Sequence, residues 1–173
     1  MRSLLICLVL VLMSALSAAQ DKLVFTIEGR GEFTMTLDQK AAPKTCAQIV
    51  GLVSRGFYDG QRFHRSIQKP KPFLVQVGDP ASKSGAVEEE MNGGSGKKVP
   101  FEESGLPCDL GAVGLARNPD DKDSGDSQFF ILLAPSRFMN GKYTVFARIT
   151  AGMDVVQKIA VGDKISTVRV VKG

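Results

Sequence analysis

Several short runs of the chain alternate apolar and polar positions with period two, the pattern of strands that bury one face. Leu23, Phe25 and Ile27 alternate within residues 22–28, and Phe33, Met35 and Leu37 within residues 32–38, with Gly29, Arg30 and Gly31 between them. This predicts a β-hairpin. Pro43 then opens a stretch in which Cys46, Ile49, Val50 and Val53 recur at i, i+3, i+4 and i+7, and Gly56 closes it. That spacing predicts an amphipathic helix. Further strands are expected over residues 61–67, 73–78, 110–116, 128–133, 143–149 and 165–171, with a short second helix over 153–160. Strands outnumber helices and are not regularly interleaved with them, which argues for an antiparallel barrel or sandwich with capping helices rather than a doubly wound sheet. Residues 80–108, rich in Ser, Gly, Glu and Lys, read as one long loop. Loops of that length in compact domains are usually functional or mobile.

Residues 1–19 lie outside this pattern. Arg2 precedes an apolar run from Leu4 to Met13, followed by small residues ending at Ser17, Ala18 and Ala19. These are the three regions of a secretory signal peptide, and the run is shorter than the ~20 apolar residues of a bilayer span. Cleavage after Ala19 is expected, leaving residues 20–173 as one exported domain, periplasmic or secreted, without a membrane anchor.

Composition narrows the chemistry. The 173 residues are 43% hydrophobic with 22 Lys+Arg against 18 Asp+Glu, which suits one compact soluble domain. The cations are scattered, with Lys97-Lys98 the longest basic run, so no nucleic-acid partner is expected. A single histidine, His64, excludes mechanisms that need two imidazoles. Without Cys7 the mature chain keeps Cys46 and Cys108, too few for a disulfide scaffold; they either pair or serve as small buried hydrophobes. The run Asn92 to Lys98 lacks the first glycine and the Ser/Thr of a phosphate loop. The acidic run Asp120 to Asp126 lacks the ligand order of a calcium loop, and no metal site is expected.

What remains is a specific constellation. Phe63-His64-Arg65, Phe73-Leu74-Val75-Gln76, Ser127-Gln128-Phe129-Phe130 and Asn140-Gly141-Lys142 before Tyr143 occur in that order, with Ala42-Pro43-Lys44-Thr45 at the helix start and Gly56-Phe57-Tyr58 after it. Together they resemble the cyclophilin family of peptidyl-prolyl cis-trans isomerases. The resemblance implies a mainly β fold, a closed eight-stranded antiparallel β-barrel capped by two α-helices. It also implies a monomer that acts without cofactor on proline-containing polypeptide chains and assists their folding.

The chemistry of such a reaction is demanding although no covalent bond breaks. Rotation about an X–Pro bond faces a barrier of ~18–20 kcal/mol because the nitrogen lone pair is delocalised into the carbonyl. A catalyst therefore needs a grip on the ring, a donor to the pyramidal nitrogen of the twisted state, and a hold on the flanking backbone. By resemblance Arg65 is the donor, its fixed charge and planar fork suiting it, and Gln76 holds substrate backbone and helps position Arg65. Phe73, Leu74, Phe130 and Met139 match the family's proline pocket, and Ala116, Arg117, Gln128, Phe138 and Tyr143 its substrate groove. Arg117 also fits a plain surface charge, Phe129 fits core, and His64 fits a structural role because no proton transfer is needed. Strand alternation puts Leu74 and Gln76 on one face and Phe73 and Val75 on the other, so a bend must bring Phe73 round.

Three departures from the family stand out. Residues 68–72 are longer than its usual Pro-Gly connection, Val77 replaces a usual glycine, and Phe138 and Tyr143 stand where many eukaryotic members have Trp and His. The last pair looks bacterial, and Phe138 implies weak cyclosporin binding, because a phenyl ring lacks the indole N–H. The same pocket would also serve a proline-directed binding or chaperone module with little turnover. Arg65 with Gln76 favours the enzyme, since a mere binder needs no donor aimed at nitrogen.

Overall fold

The computed structural model describes residues 20–85 and 91–173; the expected signal peptide lies outside them. Among the described residues the strands are β1 (Lys22–Ile27), β2 (Gly31–Leu37), β3 (Arg65–Ile67), β4 (Leu74–Val77), β5 (Ala112–Leu115), β6 (Phe129–Leu132), β7 (Val145–Ala151) and β8 (Ile165–Val171). Two helices, α1 (Pro43–Val53) and α2 (Met153–Val156), accompany them. All strand pairs are antiparallel, in the order β3-β4-β6-β5-β7-β2-β1-β8.

The hairpin forms as its alternation requires. Leu23, Phe25, Ile27, Phe33, Met35 and Leu37 are all buried. Phe25 pairs directly with Phe33, and their rings stack at 4.8 Å. Around them Tyr58, Phe129 and Phe146 extend one apolar core, on which α1 lays Cys46, Ile49, Leu52 and Val53. Pro43 starts α1, but Ala42 offers no side-chain cap. Glu102 supplies it from far along the chain, its carboxylate accepting from Lys44 N at 2.9 Å, Thr45 N at 2.8 Å and Thr45 Oγ1 at 2.7 Å. Caps of this kind stabilise a helix by ~1 kcal/mol.

The sheet corrects the expected closed barrel: it is an open, curled half-barrel whose edges are β3 and β8. Near those edges the contact is a single bridge, Arg62 to Lys164, with flanking backbone bonds such as Ile165 N to Gln61 O at 2.8 Å. β3 has three residues against the seven of β8. The chain leaves β3 through Pro70 and Pro72, which carry no N–H to donate. The second helix is also shorter than expected. After Val156 its hydrogen bonds tighten, with Lys158 N on Val155 O and Ile159 N on Val156 O.

The two cysteines among the described residues are free and occupy different clusters, Cys46 in the main core and Cys108 in a smaller one. Burial, helped by the charges of Glu102 and Asp38, pushes the Cys46 thiol up to about 12. It is a small hydrophobe whose Sγ lies 3.5 Å from Phe146 O.

Candidate active site

The site is assembled by register. Arg65 stands opposite Gln76 across β3 and β4, Gln76 opposite Phe130 across β4 and β6, and Phe130 opposite Gly114 across β6 and β5. Residues opposed in this way project from the same face, so one row crosses four strands. Alternation sends the neighbours Val75, Val77 and Phe129 into the main core, while Leu74 and Phe130 join the smaller cluster with Met139 and Cys108. Gly114 leaves the space for this ring: a Cβ on it would clash with Phe130 Cζ.

This face opens as a groove of about 480 Å³, within the range of ligand sites. Arg65, Phe73, Leu74, Gln76 and Phe130 line it, together with Ala116, Arg117, Met139 and Tyr143. Phe73 precedes β4 and so escapes its alternation, joining Leu74 in the smaller cluster. Tyr143 meets the Phe130 ring edge to face at 5.2 Å and carries the Arg117 guanidinium 5.0 Å above its own ring. Arg117 donates to Lys142 O at 2.9 Å and to Asn118 O and Pro119 O at 2.8 Å, which fixes it as groove wall rather than a loose surface charge.

Gln128 joins two halves of the site. Its Oε1 accepts from Gln76 Nε2 at 2.9 Å, and its Nε2 donates to Met91 O at 2.8 Å and Gly93 O at 2.9 Å. It lines an adjoining polar cavity of about 230 Å³. Phe138 is placed differently from the other expected site residues: it is 67% exposed, lies outside the groove lining and stacks on Phe73 at 6.0 Å. His64 is buried outside the groove lining, and burial pushes its pKa below the ordinary histidine value.

Sequence reasoning missed Met91, Asn92, Asn118 and Pro119, which line the groove. The first two belong to a segment held by carboxylates. Asp79 accepts from Ala81 N at 2.9 Å and from Gly93 N, and Asp126 accepts from Ser95 N at 3.0 Å, Gly96 N at 2.9 Å and Ser95 Oγ. A Cβ on Gly93 or Gly94 would strike those carboxylates. The Gly93-Gly94 pair was therefore the available signal. Among the described residues no group of three or more His, Cys, Asp or Glu side chains could hold a metal.

A long groove, apolar around Phe130 and lined beside it by a guanidinium and carboxamides, is shaped for an extended polypeptide. Residues 22–172 match the model of the cyclophilin type peptidyl-prolyl cis-trans isomerase/CLD family. Peptidyl-prolyl cis-trans isomerase B of Bacillus subtilis is 35% identical over 146 residues, covering 84% of this chain and 95% of its own. Peptidyl-prolyl cis-trans isomerase-like 1 of Mus musculus is 36% identical over 139 residues, covering 79% and 78%. A solved cyclophilin type isomerase of Cryptosporidium parvum has a similar fold, with TM-score 0.71 and 22% identity over 89% of this chain and 99% of that one. The chain belongs to the cyclophilin-type peptidyl-prolyl cis-trans isomerases.

Proposed function

We propose that this isomerase is an exported, bacterial-type enzyme whose signal peptide ends at Ala19 and which works as a monomer on proline-containing chains in the periplasm or outside the cell, assisting their folding. The row that sets Arg65, Gln76 and Phe130 side by side carries the reading of the site. The substrate proline seats on Phe130, Leu74, Met139 and Phe73, and the Arg65 guanidinium donates to its nitrogen once the bond twists and the lone pair is released. Gln76, braced by Gln128, holds the flanking backbone and positions Arg65, while Ala116, Arg117 and Tyr143 flank the bound chain and Phe138 extends the apolar surface through Phe73.

Export rests on the Arg2, apolar-run and Ser17-to-Ala19 sequence, and the monomer on a groove that one chain completes by itself. Faster relaxation of a cis-enriched Ala–Pro peptide, with intact mass and light scattering of the exported protein, tests all three statements. A chain retaining residues 1–19 inside the cell, or a stable dimer, would overturn the corresponding part.

A further inference from the structure

The outer face of α1 carries a second groove of about 340 Å³. Its lining includes small and apolar residues, Ala47 and Gly51 from the helix and Val99 from the facing segment. Lys44, Arg55, Lys97 and Lys98 line it, and among the described residues no carboxylate does. Glu102, whose carboxylate meets the backbone N–H of Lys44, is engaged in capping α1. Among the described residues the ion pair formed by these cations is Lys98 Nζ to Asp121 Oδ2 at 3.4 Å. The width of the groove is set by Gln48, whose Nε2 donates to Ser95 Oγ at 3.2 Å and Lys97 O at 3.1 Å, and by Val99 N on Gly125 O at 2.7 Å. Lys98 also lines the polar cavity beside Gln76 and Gln128, which shares Gln76, Ala116 and Arg117 with the first groove, so the basic groove reaches the first one through that cavity.

We propose that this basic groove is an accessory substrate site that takes an acidic stretch of the same polypeptide whose proline occupies the apolar pocket. The proposal rests on the reading of the first groove given above. An extended chain sends alternate side chains to opposite faces. A segment alternating Glu or Asp with Ala or Gly would set its small residues on Ala47 and Gly51 and leave its carboxylates for Lys44, Arg55 and Lys97, Lys98 being paired with Asp121. The continuity through Lys98 makes a second segment of the same substrate the occupant. Rim charges of this kind act chiefly on encounter rate and salt dependence.

The test compares two Ala–Pro peptides that differ in a tract of alternating Glu and Ala, or Gln and Ala, joined on either side of the proline through spacers of graded length. With the mature enzyme at low salt, kcat/KM for the best Glu peptide should exceed that of its Gln counterpart by roughly eightfold, about twofold for each of three exposed pairs. Lys44→Ala/Arg55→Ala/Lys97→Ala should abolish the preference and leave the Gln peptide unchanged. About 1 M salt, with its ~3 Å Debye length, should abolish it too. Equal rates for the two peptides, or a preference that survives the triple substitution, would overturn the proposal. If neither peptide is turned over, the isomerase assignment of the first groove fails, and fluorescence anisotropy of a labelled Glu peptide decides the second. Binding weakened by the triple substitution supports the groove, and unchanged binding overturns it. Heparin or phosphatidylglycerol vesicles bound through the same cations, with no preference for the Glu peptide, would overturn a polypeptide occupant.

Discussion

Arg65 on β3 stands directly opposite Gln76 on β4, and the next partner in the same row is Phe130 on β6. A slip of one residue between β3 and β4 would turn Arg65 away from the groove, because successive side chains of a strand alternate faces. The register of an edge strand of three residues thus sets where the charge meets the pocket.

The first prediction concerns Arg65. Arg65→Ala should lower kcat/KM by roughly 10²–10³, the effect of removing a preorganised donor from a reaction site. Arg65→Lys should recover little, because an ammonium lacks the planar fork. Circular dichroism should be unchanged, and peptide binding should fall far less than turnover. Activity within about threefold of the parent, under ~0.7 kcal/mol, would remove Arg65 from the mechanism.

Gly114 leaves room for the Phe130 ring. Gly114→Ala should displace that ring, destabilising the fold by about 1–3 kcal/mol through overpacking and weakening substrate binding. Adding Phe130→Leu should recover stability but not the full affinity for proline peptides. Denaturant midpoints and KM for the two variants provide the check. A fully stable, fully active Gly114→Ala protein would contradict the packing described.

Asp126 is the acceptor for Ser95 and Gly96 in the segment that walls the groove. Asp126→Ala should leave those donors without a charged acceptor, a loss of about 1–3 kcal/mol. The loss should fall on the wall rather than the sheet. Faster amide exchange confined to residues 91–97 and a raised KM are expected, with kcat nearly kept. Uniform destabilisation without local exchange would count against it.

His64 is buried with its pKa depressed, chiefly by desolvation, with nearby Arg65 adding to the effect and Asp79 opposing it. The folded state therefore holds the ring neutral, and the unfolded chain binds its proton more readily. Stability from this group is present above the unfolded value of about 6.5 and is lost as pH falls below it toward the lower folded value. Thermal unfolding from pH 8 to pH 5 should show this decline, at up to ~1.4 kcal/mol per pH unit. His64→Gln should flatten that part of the profile. An unchanged slope would assign the decline to other groups.

Phe138 is exposed and stacks on Phe73 at the edge of the groove. Weak inhibition by cyclosporin is expected, improved by Phe138→Trp through the added indole N–H and contact area. Inhibition constants for the two proteins give the answer. Tight inhibition of the parent, or no gain on substitution, would contradict the expectation.

Much of the fold is written locally. The period-two runs placed β1, β2 and β8 nearly to the residue, and the i, i+3, i+4 spacing from Pro43 placed α1. Periodicity encodes which face of an element is buried, and that is a local property. The ordered motifs around Arg65, Gln76, Gln128 and Phe130 likewise marked the residues that line the two adjoining cavities. Tertiary structure decided what depends on partners distant in the chain. Whether β3 meets β8 is a relation between segments distant in the chain, and the expected closure became an open edge. Glu102 caps α1 from 57 residues away, and Asp126 holds Ser95 from 31 residues away. No local pattern reports such pairs, because each is made by two segments that only the tertiary fold brings together.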